Sequence, residues 1–265
     1  MPIPPHPATL SRLRHLVAKA DASGAAFPED EPPLDLGVGA IDAALGGGLA
    51  RGTLHEVFPV APIQIGAATG FALALAQQAA AHHGRKQALW IQQDFVATEA
   101  GIPHGLGIDL WGFRLGHLLV LRVSRSREAL WAMEEALKCR ALAAVIAEPA
   151  DHDTGFDLTA TRRLAHAARR GGGIGLLLRQ RPQALPSIAM TRWVVASTPG
   201  ITDPLGGMGR PTFELSLVRN RRGPCGRWII EWNRDERLFV PATLPGDLAA
   251  AARNGSNRAM FARAG

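Results

Sequence analysis

Five positions in this 265-residue chain carry side chains that a phosphate-handling site would use, in the order such a site would use them. They are Gly66, Thr69, Asp94, Glu148 and Gln180. A nucleotide site holds its phosphates on the backbone N–H groups of a glycine-rich strand-to-helix turn, on one lysine, and through a hydroxyl on Mg²⁺. The approach to such a turn is present: Leu45-Gly-Gly-Gly-Leu-Ala-Arg-Gly-Thr-Leu-His-Glu-Val57 is a glycine-rich stretch leading into a strand that carries Glu56. The turn itself reads Pro59-Val-Ala-Pro-Ile-Gln-Ile-Gly-Ala-Ala-Thr-Gly70. With Gly66 as the last loop glycine, Ala67 stands where the lysine belongs and Ala68 where the metal-binding hydroxyl belongs. Pro59 and Pro62 have no N–H to offer an anion. Thr69, one place on, is the nearest substitute hydroxyl, and Arg85 or Lys86 are cations that could reach in from elsewhere.

The downstream positions keep their order. Asp94 follows Trp90-Ile-Gln-Gln93, an acid just past a strand that could activate a water, although a turn-capping Asp explains it equally well. Glu148 ends the apolar run 143–147 as a metal-site acid would, and Gln180 ends the run 174–179 as a γ-phosphate sensor would. Without the lysine and the hydroxyl, most of the electrostatics of phosphoryl transfer is missing. The five positions are therefore read as vestigial, with no catalytic residue and no cofactor expected; the alternative is a residual ATP-binding switch or ATPase using Thr69, Asp94, Glu148 and Gln180.

Arginine supplies the other chemistry. Lys19, Lys86 and Lys138 are the three lysines, so arginine makes up the rest of the 29 cations and of the net charge of +6. The densest group is Arg219, Arg221, Arg222 and Arg227, around a turn. Alternation along a strand puts Arg219 and Arg221 on one face. Four guanidinium groups there suit a phosphate, DNA or an acidic partner surface. A solvated turn whose charge guards a sheet edge accounts for them as well. Several classes are excluded. Two cysteines make no disulfide framework, the nine histidines are scattered, and no serine has Gly-x-Ser-x-Gly flanks. Apolar runs are of strand length, and Met1 to Leu10 has no secretory pattern, so a cytoplasmic protein without membrane contact is expected.

These residues need a scaffold, and the hydrophobic pattern outlines one. Strands are predicted at Thr53–Phe58, Gln87–Ile91, Leu118–Val123, Leu142–Ala147, Ile174–Arg179 and Trp193–Ser197. Helices are predicted at Gly70–His82, Ser126–Lys138 and Asp157–Arg170, the last with Asp157 as N-cap and Gly171 as stop. Near-continuous apolar strands alternating with helices mean an α/β fold, a mainly parallel sheet covered on both faces. Phe213–Val218 and Trp228–Trp232 then alternate about the turn as a C-terminal antiparallel hairpin, with Trp228 and Trp232 facing the core. Residues 34–240 form the core. Residues 1–33 read as an arm helix (Thr9–Ala20) and linker, and 241–265 as a partly disordered tail ending in Asn257-Arg-Ala-Met-Phe-Ala-Arg263.

From Leu34 to Phe239 the chain resembles the ImuA family of damage-inducible mutagenesis proteins, which are RecA-like in fold. The resemblance rests on Gly46-Gly-Gly-Leu-Ala-Arg-Gly-Thr-Leu-His-Glu56, Leu89-Trp-Ile-Gln-Gln93, Gly105-Leu-Gly-Ile-Asp109 with Leu118-Leu-Val120, and above all the hairpin Glu214 to Trp232. It implies a RecA-like core with a degenerate ATP site, and a role in assembling or regulating an error-prone translesion complex. The partners it implies are a Y-family polymerase-like protein and an error-prone replicative-type DNA polymerase, with a RecA filament and DNA as further candidates. Arg219 and Arg221 resemble the basic pair that reaches ATP across the subunit interface in recombinase filaments. Arg179, Arg181 and Arg192 flank the counterpart of the recombinase DNA-binding loop, but Pro182–Met190 is short and uncharged. A damage-induced inhibitor of cell division is the remaining alternative.

Overall fold

The computed structural model describes residues 32–82, 87–114, 116–150, 155–181, 186–200 and 209–242. The arm helix, the tail, Arg85, Lys86 and residues 182–185 lie outside the described residues. The chain enters through α1 (Gly39–Ala44), whose start is fixed by Asp42: its carboxylate accepts from the Leu36 and Val38 N–H groups at 2.9 and 3.1 Å. Gly46, Gly47 and Gly48 then take φ of +75°, +104° and +127° in succession, which L side chains rarely adopt. The glycine run thus turns the chain into the central strand, at the amino end of that strand, and is not itself a phosphate cradle.

The elements that follow are β1 (Thr53–Pro59), a 3₁₀ turn (Pro62–Gln64), α2 (Ile65–His82), β2 (Gln87–Gln93), α3 (Asp94–Ala100) and α4 (Gly105–Leu110). Then come β3 (Leu118–Val123), α5 (Ser126–Leu137), β4 (Leu142–Glu148), α6 (Leu158–Gly171), β5 (Ile174–Leu178), β6 (Thr191–Ser197), β7 (Thr212–Asn220), β8 (Gly226–Asn233) and β9 (Leu238–Pro241). One nine-stranded sheet runs β3-β2-β4-β5-β1-β6-β7-β8-β9. The pairs from β3 to β6 are parallel, and those from β6 to β9 are antiparallel.

Helix α2 covers one face, over Val57, Ile146, Leu176, Trp193 and Leu215; α5 and α6 cover the other, over Leu54, Leu89, Val145 and Leu177. Trp232 is fully buried on the α2 face, and Trp228 packs against Trp193 at 6.3 Å between ring centroids, as the alternation predicted.

The elements differ from the expected ones in several places, among them α3 and α4, which fall where no helix was predicted. Helix α2 starts at Ile65 rather than Gly70, because the Pro62–Gln64 turn leads directly into it and takes Gly66 to Thr69 into its first turns. The stop of α6 is Gly172, with φ +77°, while Gly171 is the last helical residue. Gly171 is small for another reason: a Cβ there would strike the Leu137 carbonyl at the end of α5. Strand β9 was not anticipated; it pairs Ile230–Asn233 of β8 and buries Phe239 against Trp232.

Candidate functional site

The carboxyl ends of β1, β2, β4 and β5 converge beside the start of α2, where open parallel sheets place their ligands. The link from β1 to α2 is built of backbone that is already engaged. Val60 N–H donates to Val195 O at 2.9 Å and Gln64 N–H to Ala61 O at 2.8 Å. The Gln64 side-chain oxygen accepts from Ser197 N–H and Oγ at 3.0 and 2.7 Å, tying the link to the end of β6. No residue from Pro59 to Gly70 has a positive φ, so the αR–αL alternation of an anion nest is absent from it. Ala67 and Ala68 are buried in the α2 core, and Ile63 is almost wholly exposed.

Beside this link sits a polar cluster on the α2 face. Period-two alternation puts Trp90 and Gln92 on that face of β2, and the register pairs Gln92 with Glu148 of β4. Glu148 is buried and collects three donors. Gln180 Nε2 reaches Oε1 at 2.6 Å; Gln92 Nε2 and Trp90 Nε1 reach Oε2 at 2.9 and 3.3 Å. Burial outweighs these donors and raises the carboxyl to about 7. Glu148, Gln92 and Trp90 line a cavity of about 160 Å³ closed by Thr69 and Leu73 of α2 and by Trp111. Gly70 admits Trp111 to that position, since a Cβ there would lie 2.6 Å from its ring.

The structure thus brings Thr69 and Glu148 into the cavity wall, with Gln180 behind it bonded to Glu148, and leaves Gly66 and Asp94 apart. Gly66 is exposed in the first turn of α2, with nothing near its Cβ position. Asp94 opens α3 and faces β3: Arg122 Nη2 lies 2.7 Å from Oδ1, and Ser124 Oγ donates to Oδ2 at 2.9 Å. Gln93, on the opposite face from Gln92, accepts from Ser126 Oγ and Ala150 N–H and so fastens β2 to α5 and to the end of β4. Gln92 was missed as a site residue. The signal was available, since an amide two positions after Trp90 on a buried strand needs a polar partner on the same face.

The arginines divide into two groups. On the α6 face, fully buried Glu56 is the acid at the centre of a basic cluster. Arg192 Nε and Nη2 donate to its Oε2 at 2.9 and 2.7 Å, Ser187 Oγ at 2.8 Å, and Arg179 Nη2 lies 3.8 Å from Oε1. Arg179 also sits over the Phe156 ring and Arg192 over Phe58, with centroid distances of 5.6 and 5.5 Å. Two of the three arginines that flank the counterpart of a DNA-binding loop are therefore bound inside the protein.

Hairpin geometry is not the simple alternation expected. Trp193 pairs with Leu217 and Arg192 with Arg219, so Val218 is an extra residue and the strand changes face after it. The bulge turns Arg219 onto the Glu56–Arg192 row. Burial and then the Arg221 and Arg192 charges push its guanidinium below the ordinary value, with Glu56 opposing. Arg221 lies beyond β7, in the turn, where its N–H donates to Met190 O and its Nε to Ala189 O, both at 3.1 Å. Arg227 pairs with Glu214 across the hairpin, and Arg222 is exposed.

Comparison with family models finds no match. Among curated proteins, the chain is 30% identical over 213 residues to Protein ImuA of Caulobacter vibrioides, in each of two strains, covering 76% of this chain and 83% of the relative. Among solved structures it is similar in fold to the RadB recombinase, with a TM-score of 0.52 and 16% identity over 78% of this chain and 98% of that one.

Proposed function

The chain belongs to the ImuA family, and on that premise we propose that it is a non-catalytic, RecA-like accessory protein of damage-induced mutagenesis. In this reading it works in the cytoplasm and assembles or regulates an error-prone polymerase complex. Its partners are a Y-family polymerase-like protein and an error-prone replicative-type polymerase. The observation that carries the non-catalytic part is the β1–α2 link: two buried alanines where a lysine and a metal-binding hydroxyl would stand, prolines among its residues, and the Val60, Gln64 and Ile65 N–H groups bound elsewhere. An anion placed there would meet few donors and no cation from the link.

The purified chain is expected to show no saturable binding of Mg-ATP by calorimetry and no hydrolysis above a protein-free control. One observation favours the second reading, a residual nucleotide switch: Thr69 and Glu148 line one cavity, with Gln180 bonded to Glu148. Micromolar ATP affinity that is lost in both Thr69→Ala and Glu148→Ala would establish that reading and remove the first.

For the partner surface, the exposed side of the hairpin is the better candidate. Arg221→Glu combined with Arg222→Glu is expected to weaken the complex with the polymerase-like protein about tenfold or more, because charge reversal adds repulsion to lost attraction. The melting temperature should fall by no more than a few degrees, both residues being exposed and the one bond lost being that of Arg221 Nε to Ala189 O. An unchanged pull-down would remove the hairpin from the interface. Loss of salt-dependent binding to single-stranded DNA in the same variant would assign these arginines to phosphate instead.

A further inference from the structure

The cavity beside Glu148 has a chemical bias of its own. Gln92 is 2% exposed, and its Nε2 donates to Gly101 O at 2.8 Å and to Glu148 Oε2 at 2.9 Å. Both amide protons are thereby engaged. Its carbonyl oxygen is buried and has no hydrogen-bond donor among the described residues. A buried, unmatched acceptor is costly and points to a donor from outside. Glu148, also 2% exposed, adds a carboxylate to the same wall, and Trp90 and Trp111 add aromatic surface. Trp90 Nε1–H is turned to Glu148, so that indole offers no donor to the cavity. The cavity therefore presents acceptors, a carboxyl group and aromatic rings, inside a chain whose net charge is +6.

This combination repels a phosphate and suits a cation that carries several N–H donors. The cover of the cavity adds a second constraint. Ile102, which lines the cavity, is 60% exposed, and Leu106 and Leu110, 75% and 60% exposed, stand one helical turn apart on the outer face of α4, whose inner face of His104, Gly107, Ile108 and Trp111 lines it. A free amine or a metal ion has no use for this apolar outer surface, whereas a polypeptide lays apolar neighbours along it.

We propose that the cavity receives an arginine or lysine side chain of a partner polypeptide, whose N–H groups meet Gln92 Oε1 and Glu148 while its apolar neighbours cover Ile102, Leu106 and Leu110. A cation seated there would hold Glu148 ionised and use its remaining acceptor capacity. Only the identity of the polypeptide rests on the proposed function; the preference of the cavity for a cation does not.

The test uses the full chain labelled with ¹⁵N at its six tryptophans, the Trp90 indole signal being assigned with Trp90→Phe. N-acetyl-arginine amide, N-acetyl-lysine amide, the neutral isostere N-acetyl-citrulline amide, and Mg-ATP are titrated separately. A saturable shift of the Trp90 signal is expected with one or both cations, about tenfold weaker with citrulline and lost in Glu148→Gln and in Gln92→Met. The other indole signals report whether each variant is folded, and using two variants guards against a misfolded one. Equal binding of citrulline, no shift with either cation, or a shift with Mg-ATP alone overturns the cavity's assignment.

The occupant is tested in the complex. Glu148→Gln and Leu106→Asp are each expected to lower affinity for the polymerase-like protein at least severalfold. If the probes bind but neither variant affects the complex, the partner-side claim is overturned while the proposed function stands on the hairpin variants. If no complex forms with the unaltered chain, the proposed function falls, and the titration still decides the cavity.

Discussion

Glu56→Ala is expected to destabilise the protein by about 3–5 kcal/mol, read from urea unfolding at pH 7.5. Glu56 is the buried anion to which Arg192 is bound through two nitrogens, with Arg179 nearby and Arg219 in the same cross-strand row. Removing it leaves guanidinium groups inside the protein without their counter-charge. That is the case in which breaking a buried pair costs far more than the pair contributes. Two controls sharpen the result. Glu56→Gln keeps the shape and some of the hydrogen bonds, so it should lose less than the alanine variant. Glu56→Leu combined with Arg192→Met should recover part of the loss, since the unpaired cation goes with its partner. A loss below about 1 kcal/mol in Glu56→Ala would mean that the arginines do not depend on this acid.

The second large effect appears only when pH is varied. His55 is fully buried on β1, and its bonds have one consistent direction. Trp193 Nε1–H donates to Thr191 Oγ, the Thr191 hydroxyl donates to His55 Nδ1, and His55 Nε2–H donates to Ala50 O, at 2.9, 2.7 and 2.9 Å. This arrangement requires a neutral ring, and burial lowers its pKa to about 4. The unfolded chain binds the proton at about 6.5, so the His55 contribution is intact above that pH and is lost as pH falls from 6.5 towards 4. Glu148 acts in the opposite sense. Its carboxyl titrates at about 7 folded and near 4.5 unfolded, so stability is lost as pH rises from 4.5 to 7. Each shift is worth about 3 kcal/mol over its whole window. Asp42, raised to about 6 by partial burial, adds the sign of Glu148 at the lower end.

Between pH 4.5 and 6 the His55 and Glu148 effects nearly cancel, so the unaltered protein should follow the remaining Asp42 effect and lose stability gently as pH rises. Glu148→Gln should expose the His55 slope, reduced below pH 6 by Asp42; adding Asp42→Asn should bring the rise to roughly 1 kcal/mol per pH unit. His55→Gln should expose the reverse slope. Profiles parallel to the unaltered protein in both variants would show that neither group is buried in the ionisation state described.

The sheet was legible because burial on both faces leaves a simple trace: short apolar runs separated by helix-length stretches. Strands β1 to β6 stand within two residues of their expected ends. What failed was local. Val218 reads as an ordinary alternating residue, and only pairing with a shorter count on β6 makes it a bulge, so the face of Arg219 was not readable. Strand β9 is four residues, too short to carry a period, and it exists because β8 offers an edge. At the site, the neighbourhood of Glu148 and Gln180 was readable from strand ends, since parallel strands deliver their final residues to one edge. Asp94 was ambiguous by type, because an acid just past a strand can serve a ligand or a neighbour, and here it serves Arg122. Glu56 was visible as a residue but not as an anchor, since its partners lie more than 120 positions away in the chain.

The same separation has a consequence for synthesis. Central strand β1 has no sheet partner until β5 and β6 are made, and His55 meets Thr191 only 136 residues later. At bacterial or eukaryotic rates of elongation that is a delay on the order of ten seconds. During it β1 leaves the ribosome with both of its edges open, and α2 without Trp193 and Leu215 beneath it. A chain released early, before Ile174, would hold β1 with neither neighbour. Abundance of this protein in the cell should therefore depend on holding chaperones and on uninterrupted translation more than its final stability would suggest.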